Sequence, residues 1–338
     1  MKNKFSISVC IPVYKGSNLI KDALDSLYSQ DGFNDLDIEI IVGEDTNPDL
    51  IDEINKTKKI LDKYNNPKIT YIKNETNIGY ARNLKNITSK AKNDILILLG
   101  QDDVLLNDAL LDTYNAFLIS DDIGAVTRPY YWFTNDINTP VRVVSVYDPD
   151  KTAVISINKK DQFLKIFESV GQFSGLAYKK SLISIPFNEE CFPAHIYPFA
   201  SILLKYKCAF LNKYTVAIGI KDSQTRNVSS IYDDSPTLSW LKMYKTLFGA
   251  KEYASQLNCG YEHILTNYIG LIQLKNYANK GVLFREIMIL IKNRKRNLIS
   301  LKFWFFALLT VLTPRSLLRQ LTDLYKEKLN KQLIPHSK

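Results

Sequence analysis

The sequence predicts an α/β fold: a mostly parallel sheet flanked by helices, with a helical C-terminal extension. Three observations carry this. Over the first hundred residues apolar runs of strand length alternate with stretches of helical periodicity. Several of those runs end in polar clusters, as strands do where an open α/β sheet binds a ligand at its carboxyl edge. From about residue 236 the pattern is helical throughout.

Taken in order, Ile7–Val13 reads as a strand, entered directly from Met1-Lys2-Asn3-Lys4, which leaves no room for a signal peptide. Leu19–Tyr28 has apolar residues at helical spacing, Ile38–Val42 is a second strand and Asp49–Tyr64 a second helix. Ile69–Ile72, Gly79–Ala91 and Ile95–Leu99 repeat the alternation as strand, helix and strand, which implies right-handed βαβ crossovers and a parallel sheet. From about 104 to 225 the pattern loosens: a helix at Asp108–Ser120, strands at Gly124–Arg128 and Val141–Tyr147, and helices near Lys159–Ser169 and Pro198–Tyr206. The boundaries expected are a first, regularly alternating half at 1–104, a second half at 105–235 and the helical extension at 236–338.

The run Ile95–Leu99 leads into Gly100-Gln101-Asp102-Asp103, placing two adjacent carboxylates at the carboxyl end of a central strand. Neighbouring acids repel, and a divalent cation or a cationic substrate group relieves the repulsion. An Asp at a strand end also serves simply to cap the next helix, so the pair by itself fits either role.

With 338 residues, 46% of them hydrophobic, the chain can bury a large core. Its formal charge of +9 is concentrated at one end: residues 281–338 hold 12 Lys+Arg against 3 Asp+Glu, and the remainder holds 32 of each sign. A balanced body argues against nucleic acid as a partner, and a basic tail points to an anionic surface. Cys10, Cys191, Cys208 and Cys259 are scattered, without the spacing of a zinc site or a disulfide framework, which fits cytoplasmic residence.

In the tail, Lys292-Asn293-Arg294-Lys295-Arg296 precedes the run Phe303–Leu312, ended by Thr313-Pro314-Arg315. A ten-residue apolar helix covers about 15 Å, half of the roughly 30 Å hydrocarbon thickness, so it cannot span. It suits an anchor lying on anionic lipid, or a core helix with solvated basic flanks.

Four segments in this order resemble the family 2 inverting glycosyltransferases of the GT-A fold, bacterial surface-polysaccharide type, over roughly residues 5–225: Ser8–Tyr14, Glu39–Asp45, Asn77–Asn83 and Leu98–Asp103. The resemblance implies a nucleotide-diphosphate-sugar donor, commonly UDP-linked, held with Mn²⁺ or Mg²⁺. It assigns the nucleotide site to Pro12, Tyr14, Glu44, Asp45, Asn77, Arg82 and Asp102, with Asp102 binding the metal that bridges the diphosphate. Pro12 closes the first strand, Tyr14 lies against base or ribose, and Glu44 and Asp45 stand where two aspartates are usual. Arg82, at a helix start, reaches base or phosphate. The chain departs from the usual Asp-x-Asp, because Gly100 stands where the first Asp belongs; Asp103 has a usual role nearer the donor sugar or acceptor.

Inversion needs a base for the acceptor hydroxyl, and aligning Phe187-Asn188-Glu189-Glu190 with the helix after Pro198 puts His195 at that place, with Glu190 as the alternative. In Lys221–Arg226, Arg226 suits a diphosphate lid. The expected protein is a glycosyltransferase on the cytoplasmic face of the membrane, acting on a glycan, such as a lipid-linked oligosaccharide. Two rivals stand beside it: a degenerate sugar-nucleotide-binding relative, and a nucleotidyltransferase, of whose Gly-rich phosphate loop Lys15-Gly16-Ser17 is only an echo.

Overall fold

The computed structural model describes residues 5–106, 108–190, 193–221 and 232–330. Its first seven elements follow the predicted alternation to within two residues: β1 (Ile7–Val13), α1 (Ile20–Tyr28), β2 (Ile38–Glu44), α2 (Ile51–Tyr64), β3 (Ile69–Lys73), α3 (Tyr80–Lys90) and β4 (Ile95–Leu98). β1 and β4 are near-continuous apolar runs because helices cover the sheet on both faces. They pair in the parallel order β3-β2-β1-β4, so the order reverses at β1. Register brings Val13 beside Glu44 and Cys10 beside Leu98, which places the carboxyl ends of β1, β2 and β4 along one edge. That edge is where a doubly wound sheet opens a crevice.

The second stretch contributes β5 (Val104–Leu105), α4 (Ala109–Leu118), β6 (Ile123–Thr127), β7 (Tyr130–Phe133), β8 (Arg142–Val144), β9 (Ala153–Ile155), α5 (Lys160–Ser169), β10 (Ala177–Lys179), α6 (Ile196–Leu203), β11 (Lys207–Phe210) and β12 (Val216–Gly219). β10, β6, β11 and β9 continue the main sheet beyond β4 to eight strands, with β10 antiparallel to both β4 and β6, and β9 antiparallel to β11. A smaller sheet has the order β5-β12-β7-β8. The fold is therefore α/β with a mainly parallel sheet, as expected. The strand expected at Val141–Tyr147 shrinks to Arg142–Val144, β12 is the apolar strand that precedes Lys221, and β5, β7, β9, β10 and β11 lie outside the strands the sequence predicts. Strands of two to four residues are too short to display period-two alternation. Pro198 falls inside the first turn of α6 rather than before it, a position where its missing N–H costs no helical bond.

Two compact units emerge: one comprises the residues up to Trp132 with Val143–Gly219, the other Phe133–Arg142 with the residues from Ile220 on. The second is built from α7 (Pro236–Phe248), α8 (Ala254–Thr266), α9 (Gly270–Tyr277), α10 (Lys280–Asn293), α11 (Leu301–Leu312) and α12 (Arg315–Asn330). Ser235 caps α7 by accepting from the Leu238 N–H, with Pro236 at the first helical position, and Ser300 caps α11 through the Phe303 N–H. Its core joins Tyr268, Leu271, Leu274, Leu283, Leu290, Phe303 and Ala307. The apolar tail run is thus part of a folded core on one of its faces.

Close packing of α3 on β2 depends on Gly43. A Cβ there would lie 2.2 Å from Ile87 Cγ2, and Asn83 Nδ2 donates to the Gly43 carbonyl at 2.8 Å. Gly43→Ala is expected to lower the unfolding free energy by about 1–3 kcal/mol. Urea denaturation measures this; a midpoint equal to that of the parent would show that the two elements are not in this contact.

Candidate active site

The crevice between β1 and β4 is stapled by a side chain the sequence did not single out. Gln101, just past β4, accepts from the Tyr14 N–H through Oε1 and donates to the Tyr14 carbonyl through Nε2, both at 2.9 Å. This pair of hydrogen bonds fixes Tyr14, which stays half-buried at the edge. Lys15 follows with φ 52, its N–H donating to Thr46 Oγ1 at 2.7 Å and its ammonium 5.4 Å from the Tyr14 ring centroid. Pro12 is half-buried opposite Gly43, inside β1 rather than beyond it.

Asp103 turns inward. Its Oδ1 accepts from the Gly219 N–H at 3.0 Å, its Oδ2 accepts from the Ser174 hydroxyl, and Ser174 Oγ in turn accepts from the Gly100 N–H at 2.8 Å. One carboxylate therefore joins the end of β4, the turn before β10 and the end of β12. The same turn is clamped by Arg128, fully buried, which donates to the carbonyls of Ser174, Ser169 and Gln172 at 2.6, 3.1 and 2.8 Å. Burial lowers the Arg128 guanidinium to about 10, still charged near neutral pH. Burial and the neighbouring Asp102 push the Asp103 carboxyl well above the ordinary carboxylate range, against the pull of Ser174, the Gly219 N–H and Arg128. The expectation that Asp103 meets donor or acceptor directly is corrected: it is a buried tie.

Gly100, where an acid was expected, has a geometric reason. A Cβ on it would lie 2.7 Å from Asp103 Oδ2, 3.1 Å from Ser174 Oγ and 3.2 Å from Asp102 Oδ1. The backbone here is packed against the very knot that Asp103 makes, so a side chain at this position would have to displace it.

At the end of β2, Glu44 and Asp45 are buried and make internal hydrogen bonds, while Glu44 Oε2 has no hydrogen-bond partner among the described residues. Glu44 is fully buried; Oε1 accepts from both the N–H and the hydroxyl of Thr46, and burial raises its carboxyl above the ordinary range. Asp45 accepts from Asn74 Nδ2 and the Ile78 and Gly79 N–H groups, all at 2.8 Å, and so fixes the entry to α3. Asn77 is exposed in that entry and accepts from the Gly79 N–H at 3.1 Å. Arg82 is exposed on the first turn of α3.

His195 is corrected as a base. It is fully buried; its Nε2 lies 2.8 Å from the Val170 carbonyl, which can only accept, so Nε2 carries the hydrogen and Nδ1 accepts from the Tyr80 hydroxyl at 2.8 Å. Burial lowers it to about 4, so it is neutral and committed on both nitrogens. Its backbone carbonyl accepts from Tyr178 at 2.9 Å, and Phe173 packs between Tyr80 and His195 at 5.8 Å from each. Glu190 is exposed, next to Glu189, which pairs with Lys85 of α3. Arg226 lies outside the described residues.

Asp102, the expected metal ligand, is half-buried at the edge, while both oxygens of Asp103 are occupied. Among the described residues no group of three His, Cys, Asp or Glu could enclose a cation. This donor set fits a cation held by one carboxylate and completed by a diphosphate and water, the usual manner of Mg²⁺ sites.

The family model for glycosyl transferase family 2 matches residues 8–179. The chain is 36% identical over 110 residues to the abequosyltransferase RfbV of Salmonella typhimurium, covering 32% of each chain. It is 36% identical over 192 residues to the poly(ribitol-phosphate) beta-glucosyltransferase of Bacillus spizizenii, covering 56% of this chain and 27% of that one. The chain thus spans about a third or less of the curated relatives it matches. Among solved structures, S. aureus TarS 1-349 in complex with UDP-GlcNAc superposes with TM-score 0.61 at 14% identity, over 97% of this chain and 90% of that one. The mannosyltransferase PcManGT of Pyrobaculum calidifontis, with GDP-Man and Mn²⁺, superposes with TM-score 0.54 at 13% identity, over 92% and 87%. These likenesses show a shared GT-A fold.

Two outcomes are expected of this arrangement. His195 is held below its unfolded value, so its share of stability is present above about pH 6.5 and is lost as pH falls toward about 4. Urea unfolding from pH 7 to pH 4 should cost the parent about 3 kcal/mol more than His195→Asn; parallel pH profiles would refute the buried neutral imidazole. Gly100→Asp, which writes in the usual Asp-x-Asp, should lower the thermal midpoint rather than improve nucleotide binding.

Proposed function

The chain belongs to glycosyl transferase family 2, and from that premise we propose that it moves one sugar from a UDP-sugar to a glycan with inversion, the glycan being a lipid-linked intermediate of a bacterial surface polysaccharide. The observation that carries this is the edge where Tyr14, fixed by Gln101, and Asp102, half-buried beside the Asp103 tie, stand at the adjacent ends of β1 and β4. The relatives named for abequosyl and poly(ribitol-phosphate) glucosyl transfer support the acceptor class. The likeness to a UDP-GlcNAc complex supports the donor.

In this proposal Tyr14 lies against base or ribose, and Asn77 and Arg82, both exposed at the start of α3, meet the ribose or the diphosphate. Asp102 is the ligand of a divalent cation, which when bound offsets the negative charge developing on the leaving diphosphate. Arg226 is retained as a diphosphate partner. The acceptor oxygen bonds to the anomeric carbon as the bond from that carbon to the diphosphate oxygen breaks, and the acceptor proton passes to a base on the opposite face. Of the three acid–base candidates only Glu190 is exposed, and it takes that role. The protein works peripherally on the inner membrane face; no described helix is long and apolar enough to cross a membrane.

The missing first Asp favours a second reading, a sugar-nucleotide-binding relative without turnover. Nucleotide release across UDP-, GDP- and dTDP-sugars with lipid extract decides between the two, since the binding relative releases nothing. Asp102→Ala should abolish Mn²⁺-dependent UDP binding in calorimetry; binding unaffected by the change would remove Asp102 from the site. Glu190→Gln should lower kcat by about 10²-fold or more with KM for the donor little changed, whereas a kcat equal to the parent's would eliminate Glu190 as base.

A further inference from the structure

We propose that the outer face of α11 is the surface by which this protein docks onto an anionic lipid bilayer. In Leu301–Leu312 the polar side-chain atoms are those of Lys302, Thr310 and the Trp304 indole N–H. One face of the helix, with Phe303, Ala307 and Thr310, is buried in the helical unit. The opposite face carries Leu301, Phe305, Leu308 and Leu312, which are 89, 62, 50 and 74% exposed. At 100° per residue these four fall within an arc of about 60°, and Leu298 and Ile299, also exposed, extend the patch just before the helix. A surface helix ordinarily turns polar residues outward. α11 is apolar inward and outward alike.

Charge decides what covers it. Lys295, Arg296, Lys302 and Arg315, on and flanking α11, are exposed, in a segment with 12 Lys+Arg against 3 Asp+Glu over residues 281–338. A second copy would bring two identical basic rims together, which opposes association, whereas the same rim is drawn to anionic headgroups. Trp304, its indole Nε1–H donating to the Leu298 carbonyl at 2.8 Å, and Phe305 are residues suited to the depth of the headgroups. Twelve residues of helix measure about 18 Å, short of the roughly 30 Å core, so α11 lies in the interface plane with its outer face immersed. This deepens the membrane reading above and rests on it, naming the face and the lipid class.

The test is co-sedimentation of the full chain with phosphatidylcholine vesicles with and without phosphatidylglycerol. The expected result is binding to the anionic vesicles that weakens with salt. Phe305→Ser with Leu308→Ser should lower that binding at least about tenfold, with the circular-dichroism melting midpoint reporting that the core is intact. Lys295→Glu with Arg296→Glu, which leaves the apolar face untouched, should remove the preference for anionic lipid. The inference is overturned by a parent that ignores anionic vesicles, by an apolar-face variant that binds as the parent does, or by self-association in light scattering that the same variant abolishes. UDP binding measured on the same samples separates the two readings. Vesicle binding without nucleotide binding defeats the transferase and leaves the docking face standing; nucleotide binding without vesicle binding does the reverse.

Discussion

The buried Asp103 carboxylate is the interaction on which the rest of the site depends. A buried carboxyl group is costly unless its oxygens are hydrogen-bonded, and here the Gly219 N–H and the Ser174 hydroxyl occupy both, with the Arg128 guanidinium clamping the same turn. Because those partners come from segments distant in sequence, satisfying one carboxylate aligns β4, β12 and the turn before β10. Gly100 suits the close packing of that knot, and Asp102, the neighbour in sequence, is half-buried at the edge of the crevice.

The same division recurs around α3. Asp45 holds the residues before the helix through the Ile78 and Gly79 N–H groups, and Tyr80 ties its first turn to His195. Both side chains have chemistry suited to catalysis, yet both act by positioning. What they position is the exposed first turn that carries Arg82. Charged and imidazole groups are thus spent on geometry inside the unit, while Tyr14 and Asp102 stay half-buried and Arg82 and Glu190 exposed at its surface.

The helical unit shows a related economy. α11 supplies Phe303 and Ala307 to the core and keeps an equally apolar face outside, so the choice between a core helix and a surface helix resolves into one face each. Removing the tail would therefore take out core side chains along with the surface. Single substitutions on the outer face separate the two roles.

The sequence by itself determined the α/β class, the order and bounds of the first seven elements, and the strand end at Leu98–Asp103, because long buried strands and amphipathic helices write their periodicity into contiguous residues. It also carried the family signal, which depends on motif order. Only the tertiary structure decided which motif side chains face inward. Asp102 and Asp103 are adjacent and alike, and nothing local says that the second is met by Ser174 and Gly219, 71 and 116 residues away. Gln101, Ser174 and Arg128 left no trace in the sequence for the same reason: their roles are set by backbone groups brought close only when the sheet forms, and a hydrogen bond to backbone imposes no pattern on the partner's residue type.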